Sequence, residues 1–357
     1  MTLRTVTTNA ELLAYAALAL LLVIVFPLAL DIFRLNLVSK YLAFAFVAIG
    51  VVLTWGYGGI LSLGQGIFFG LGGYLMAMFL KLEASAPELP DFMVWSSTES
   101  LPWWWLPYRH LWVTVLSLLI LPAVIGFALA YAPFKKRLGG VYFAILTLAL
   151  ALATTVMLIG QQGYTGGANG ITDFRTLRGW DITTDRAKLV LYFVEVILLF
   201  AVMGASRFII RSRLGKVLVA IRDREDRVRF SGYNVALFKA FAFATGAVFA
   251  SVGGALYSIQ VGLITPTLVG VVASVEMVIY AAVGGRTSVV GAVCGALLIG
   301  FTRSLISENF ATLWLFFIGG LFMFVVLVMP NGLAGLPSQV TTRRRAFSAV
   351  PTIEADA

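Results

Sequence analysis

Ten runs of apolar residues, each bounded by charge or by Gly/Pro clusters, dominate this chain: 12–30, 38–55, 60–80, 111–132, 141–159, 189–206, 238–257, 271–283, 288–303 and 311–329. A straight helix needs about 20 residues to cross a bilayer, and most of these runs reach about that length. Inside lipid a helix satisfies its own backbone groups. The run 271–283 is too short alone and reads as half of a broken or re-entrant pair with 288–303. The expected fold class is an all-α polytopic membrane protein with eight to ten transmembrane helices. The run 12–30 exceeds a signal-peptide core and is followed by no small-residue cleavage site, so it is expected to be a true span.

Charge agrees. Only 12% of the 357 residues are charged and 60% are hydrophobic, against about 25% charged in soluble chains. A soluble fold of this size could not cover its surface with so few charges. One cysteine, Cys294, and one histidine, His110, argue against a disulfide framework, a haem or iron–sulfur centre and a histidine/cysteine metal site, each of which needs several ligands. No cofactor is expected in this chain.

Lys and Arg set the expected orientation. With the amino terminus inside and ten crossings, the inner side collects Arg4, Lys135, Lys136, Arg137, Lys239, Arg286, Arg343 to Arg345 and the eight basic residues of 207–229, while the outer loop 83–110 carries Glu83, Glu88, Asp91 and Glu99. That asymmetry follows the positive-inside rule, so both termini are expected in the cytoplasm. The Trp-rich stretch 102–107 then lies outside, where indoles anchor at headgroup level, with partner docking as the other reading.

The segment 207–229 holds those eight cations against Asp223, Glu225 and Asp226, and Leu214, Val217, Leu218 and Ile221 recur at i, i+3, i+4, i+7. A helix there carries one apolar stripe among charges. It could lie on anionic lipid or insert the stripe into a groove on a soluble partner. The chain has no G-x-x-x-x-G-K-[ST] phosphate loop, so any ATP-driven work needs such a partner.

Small residues fall on single helical faces at Gly66/Gly70, Gly291/Gly295 and Gly246/Ala250/Gly254, the pattern of close helix packing in lipid. Two glycine-rich stretches, 56–66 and 284–291, interrupt apolar runs with small polar residues and are expected to unwind. Discontinuous helices at corresponding points of two halves are a mark of inverted-repeat transporters, and such a repeat is expected here. Glu195 and Glu276 sit inside apolar runs, where an acid costs about 2.5–3.5 kcal/mol and so faces the bundle interior with a partner. Glu276 is read either as a contact on a translocation path or as a tie to Arg286, Arg303 or a backbone amide.

Several strings carry a family resemblance: Gly59-Ile-Leu-Ser-Leu-Gly-Gln-Gly-Ile-Phe-Phe-Gly-Leu-Gly-Gly-Tyr74, Gly140-Val-Tyr-Phe-Ala-Ile-Leu-Thr147, Gly166-Gly-Ala-Asn-Gly-Ile-Thr172, Leu214-Gly-Lys-Val-Leu-Val-Ala-Ile-Arg-Asp223, Gly253-Gly-Ala-Leu-Tyr257, Ser274-Val-Glu-Met277, Gly284-Gly-Arg286 and Pro330-Asn-Gly-Leu333. From about residue 38 to 336 the chain resembles the permeases of branched-chain amino acid type ABC importers. Gln65 in place of the usual histidine, Pro90-Asp-Phe-Met-Val94, Asp173-Phe174 and Arg227-Val-Arg-Phe-Ser-Gly-Tyr-Asn-Val235 resemble the urea branch. Ser258-Ile-Gln-Val-Gly-Leu-Ile-Thr-Pro266, Gly284-Gly-Arg-Thr-Ser288 and 267–272 depart from it, which leaves branched-chain amino acids and short amides open as substrates.

The resemblance implies a multi-pass protein of the bacterial inner membrane with no enzymatic activity of its own. It would pair with a second, related permease, two ATPases that bind ATP and Mg, and an extracytoplasmic substrate-binding protein; nucleic acid is not an expected partner. The permease domain would span 1–336 and a disordered cytoplasmic tail 337–357. Within 207–232, the resemblance assigns ATPase coupling to Leu214, Gly215, Val217, Leu218, Ile221, Arg222, Asp223 and Glu225. For a small neutral solute such as urea, selectivity rests on hydrogen-bonding groups along a narrow path, which points to Ser62, Gln65, Asn169 and Glu276.

Overall fold

The computed structural model of the protein describes residues 8–309, 314–328 and 332–335. The tail 337–357 lies outside the described residues. The helices are α1 (Glu11–Ala29), α2 (Ile32–Tyr57), α3 (Gln65–Ser85), α4 (Leu111–Lys135), α5 (Gly140–Gly160), α6 (Asp185–Arg211), α7 (Arg213–Phe230), α8 (Val235–Val261), α9 (Val271–Gly284), α10 (Val289–Asn309) and α11 (Trp314–Val328). Among the described residues eight helices are long and apolar enough to span a bilayer, and α9 is shorter. The chain is an all-α polytopic membrane protein. Its few strand residues form two short antiparallel pairs, β1 (Ile171–Thr172) with β4 (Leu263–Ile264) and β2 (Thr176–Leu177) with β3 (Trp180–Asp181).

The centre of the bundle is α8, which packs on α2, α3 and α4. Lipid tails are as apolar as leucine, so helices associate there through close van der Waals fit. The sequence supplies that fit with small residues at the crossings. Gly50 meets Gly246, Gly253 lies on the Ala43 carbonyl, and Gly254 lies so close to the Phe69 carbonyl that a Cβ would stand 1.8 Å from its oxygen. Around these crossings Phe44, Phe69, Tyr257 and Tyr280 pack as an aromatic cluster, with ring centroids 5.1–5.6 Å apart. The peripheral helices α1, α4 and α5 leave apolar faces exposed, including Leu28, Trp112, Val141 and Val156.

Two ends are defined by contacts between distant loops. At one, the Glu83 carboxylate accepts from the Arg178 and Gly179 amides at 2.8 and 2.7 Å, Trp105 Nε1 donates to the Tyr164 carbonyl, and β1 pairs with β4. At the other, Glu11 pairs with Arg207 and Arg211, and α7 lies against the end of α2. Helix α9 starts beside Gly66 and Gly70 of α3, and the turn after it sets Arg286 over Trp55 at 6.0 Å. At 14 residues α9 is shorter than a span, as the sequence expects of 271–283, and the non-helical 285–288 joins it to α10. The run 60–80 is shifted: 60–64 is not helical and α3 begins at Gln65.

Candidate functional site

Both glycine-rich stretches unwind. Helix α2 ends in a π turn (Val52–Tyr57), after which the Gly58, Gly59 and Ile60 amides bond the Leu53, Trp55 and Thr54 carbonyls. Gly59 has φ +67, a left-handed conformation that a side chain makes costly. The extended chain that follows is held by hydroxyls from three elements. Leu63 N–H donates to Thr147 Oγ1 of α5 at 3.1 Å, Gly64 N–H to Ser62 Oγ at 3.3 Å, and Gly66 N–H to Ser274 Oγ of α9 at 3.1 Å. These bonds satisfy amides that a continuous helix would have satisfied itself, which is why the helix can stop inside an apolar run. Among them sits Gln65, fully buried, with neither its Oε1 nor its Nε2 hydrogen bonded.

The second break, 285–288, turns on Gly285 at φ +121 and ends where Ser288 Oγ accepts from the Gly291 amide at 3.0 Å. The two breaks touch. Tyr57 donates its hydroxyl to the Thr287 carbonyl at 3.0 Å, and Gly56 lies so near the Arg286 carbonyl that a Cβ would stand 1.7 Å from its oxygen.

Against the first break lies α7. Its apolar stripe faces inward: Leu218 and Ile221 are buried, and Leu218 packs with Leu53 and Ala242 beside Leu214. Leu218 and Ile221 of the stripe are thus used within the chain, while Val217 borders the open face. Gly215 is buried because a Cβ there would stand 2.1 Å from the Ile210 carbonyl oxygen. The open face carries Lys216, Val217, Ala220, Arg227 and Val228 around a shallow groove of about 330 Å³ that Ser231 and Tyr233 close. Helix α7 kinks at Arg224 (φ −152°, ψ 73°). Before the kink, Arg222 donates to the Gly56 carbonyl at 2.6 Å and pairs with Asp223 at 3.0 Å. Beyond it, Glu225 bridges Arg229 at 2.7 Å and Lys239 of α8 at 2.6 Å.

Of the four candidate path residues, Ser62 and Gln65 share the first break. Glu276 is buried on α9 and pairs with Arg303 of α10 at 2.9 Å, with the Tyr280 hydroxyl donating at 3.4 Å. Asn169 is exposed, in a short 3₁₀ turn (Gly167–Asn169) of the loop between α5 and α6, so only Ser62 and Gln65 of the four share one segment. Glu195 is buried and accepts from Gln260 at 3.4 Å. Sequence reasoning passed over Thr147 and Ser274, whose signal was available: each is a hydroxyl residue of an apolar run within a string that carried the resemblance.

A bundle of membrane-spanning helices with two unwound segments in contact, one braced by a charged helix, has the form of a solute-transport protein, since irregular backbone at membrane depth survives only where protein or a cavity covers it. Residues 33–326 match the family described as branched-chain amino acid transport system / permease component, and the chain belongs to that family. It is 24% identical over 337 residues to the high-affinity branched-chain amino acid transport system permease protein LivM of Escherichia coli (strain K12), covering 88% of this chain and 73% of that protein. To BraD of Pseudomonas aeruginosa, similarly named, it is 22% identical over 306 residues, covering 82% and 92%. To LivH of Salmonella typhimurium it is 24% identical over 311 residues, covering 82% and 92%. No solved structure matches significantly. These relatives are named for branched-chain amino acids, so the family expectation stands while the urea branch gains no support.

Proposed function

We propose that this chain is a transmembrane permease subunit of an ATP-driven importer in the bacterial inner membrane, and that its substrate is a branched-chain amino acid. The observation that carries the reading is the match to amino acid permeases along 82–88% of the chain. Geometry adds a chemical reason to prefer an amino acid to urea: Glu276 and Arg303 set a buried carboxylate against an exposed guanidinium, the charge complement of a zwitterion, whereas a neutral amide asks for no fixed charge. Ser62, Gln65 and Glu276 are the proposed path contacts, with Asn169 at the mouth.

The chain does no covalent chemistry in this reading. ATP and Mg are held by two partner ATPases, a second permease completes the path, and an extracytoplasmic binding protein delivers substrate. Closure of the ATPases pushes on α7, and the breaks move between inward-open and outward-open arrangements. Uptake of radiolabelled leucine and urea, measured in cells expressing the complete system, tests both parts. Leucine uptake that stops when the ATPases cannot hydrolyse ATP is the expected result. Urea accumulation without leucine uptake would overturn the substrate, and uptake indifferent to hydrolysis would overturn the mechanism in favour of a passive channel.

A further inference from the structure

The two halves of α7 hold different things. The half after the kink is bound to the scaffold, because Glu225 grips Lys239 of the central helix α8. The half before it is bound to the first break. There the Leu53, Trp55 and Thr54 carbonyls of the π turn accept from the Gly58, Gly59 and Ile60 amides, and the Gly56 carbonyl receives the Arg222 guanidinium. A charge-assisted bond at 2.6 Å is about twice as strong as a neutral one, and Asp223 at 3.0 Å fixes the guanidinium's orientation. The arginine stem lies flat on Gly59: a Cβ at that left-handed residue would stand 2.9 Å from Arg222 Cγ. Gly56 and Tyr57, in turn, are the residues that touch Arg286 and Thr287 of the second break.

From this chain of contacts we infer that Arg222 is a positioning residue, a latch that joins α7 to both helix breaks so that they shift together when α7 is displaced about Arg224. The inference rests on the proposed ATP-driven reading and adds to it the side chain through which displacement reaches the unwound segments.

The test uses the complete complex with its ATPases in proteoliposomes, in a Cys294→Ser background with Leu61→Cys as a reporter in the first break. Maleimide labelling of that cysteine is compared without nucleotide and after trapping with ATP and vanadate. With Arg222 present, the labelling rate is expected to change by about fivefold or more, the low end of a typical coupling. Arg222→Gln is expected to abolish the change while the ATPases stay bound and hydrolyse ATP. Arg222→Lys should restore part of it, because an ammonium still donates to the carbonyl, and Gly59→Ala should mimic Arg222→Gln by displacing the arginine stem. A nucleotide-dependent change that survives Arg222→Gln overturns the latch. So does labelling that ignores nucleotide with Arg222 in place, and so does loss of the ATPases on Arg222→Gln, which would make the residue part of docking. If no ATPase binds the unsubstituted chain, the ATP-driven reading fails and takes the latch with it, a result visible before any variant is made.

Discussion

At Gln65 a stability effect and a functional effect should separate. A buried amide with no hydrogen-bond partner carries an uncompensated desolvation cost of about 1–3 kcal/mol. An apolar residue of similar length removes that cost, so Gln65→Met is expected to raise the Tm of the purified protein while lowering substrate uptake several-fold. A variant that is both more stable and fully active would take Gln65 off the path. The Glu276–Arg303 pair makes the opposite case. Arg303→Ala removes the cation beside a buried acid that keeps the Tyr280 hydroxyl and should cost about 1–3 kcal/mol, part of it recovered by adding Glu276→Gln, which removes the charge. Simple additivity in that double variant, read from Tm, would show that the two side chains do not act as a pair. Glu276 also marks where the sequence stops being informative. An acid in an apolar run announces a partner, but three basic or backbone candidates were equally admissible, and the choice of Arg303 is made by the antiparallel packing of α9 on α10.

The helices themselves were largely legible, because the period of hydrophobicity and the cost of exposed backbone in lipid leave few alternatives. Errors cluster where a helix ends against something distant. The expected run 60–80 included residues that are extended, since what holds them out of the helix is Thr147, 84 residues from Leu63, and Ser274, 208 residues from Gly66. The stripe on α7 was found correctly as a pattern, yet pattern alone does not say whether an apolar face turns toward lipid, a partner or its own chain. Glycine spacing gave the crossings and the structure ranks them. Gly72→Ala and Gly254→Ala would set a Cβ 1.9 Å from the Ser251 carbonyl oxygen and 1.8 Å from that of Phe69, and overpacking of this kind costs about 1–3 kcal/mol or more. Gly204 on α6 has no atom within 4 Å of its would-be Cβ, so Gly204→Ala should leave stability unchanged or raise it by about 0.5–1 kcal/mol through helix propensity. Equal thermal shifts for the three variants would refute the assignment of the α8 crossings as the packing centre.

At the scale of the whole molecule the informative quantity is where charge is allowed. Arg207, Arg211, Arg222, Arg229 and Lys239 are each paired near one end of the bundle, while Lys216 and Arg227 of the same region border the open groove on α7. The opposite end is closed by polar loops, with Glu83 capping the turn between β2 and β3. A bilayer reads such asymmetry through retention of Lys and Arg on the cytoplasmic side, and a soluble ATPase can act only if the α7 end lies there. Orientation and mechanism therefore stand or fall together. In a Cys294→Ser background, Ser231→Cys and Glu99→Cys place single exposed thiols near the α7 groove and in the loop between α3 and α4. A membrane-impermeant maleimide should label the Glu99→Cys variant in intact cells and the Ser231→Cys variant only after the membrane is opened. The reverse pattern would set α7 and its groove outside the cell, out of reach of ATP, and would defeat both the orientation and the coupling role of the helix in one measurement.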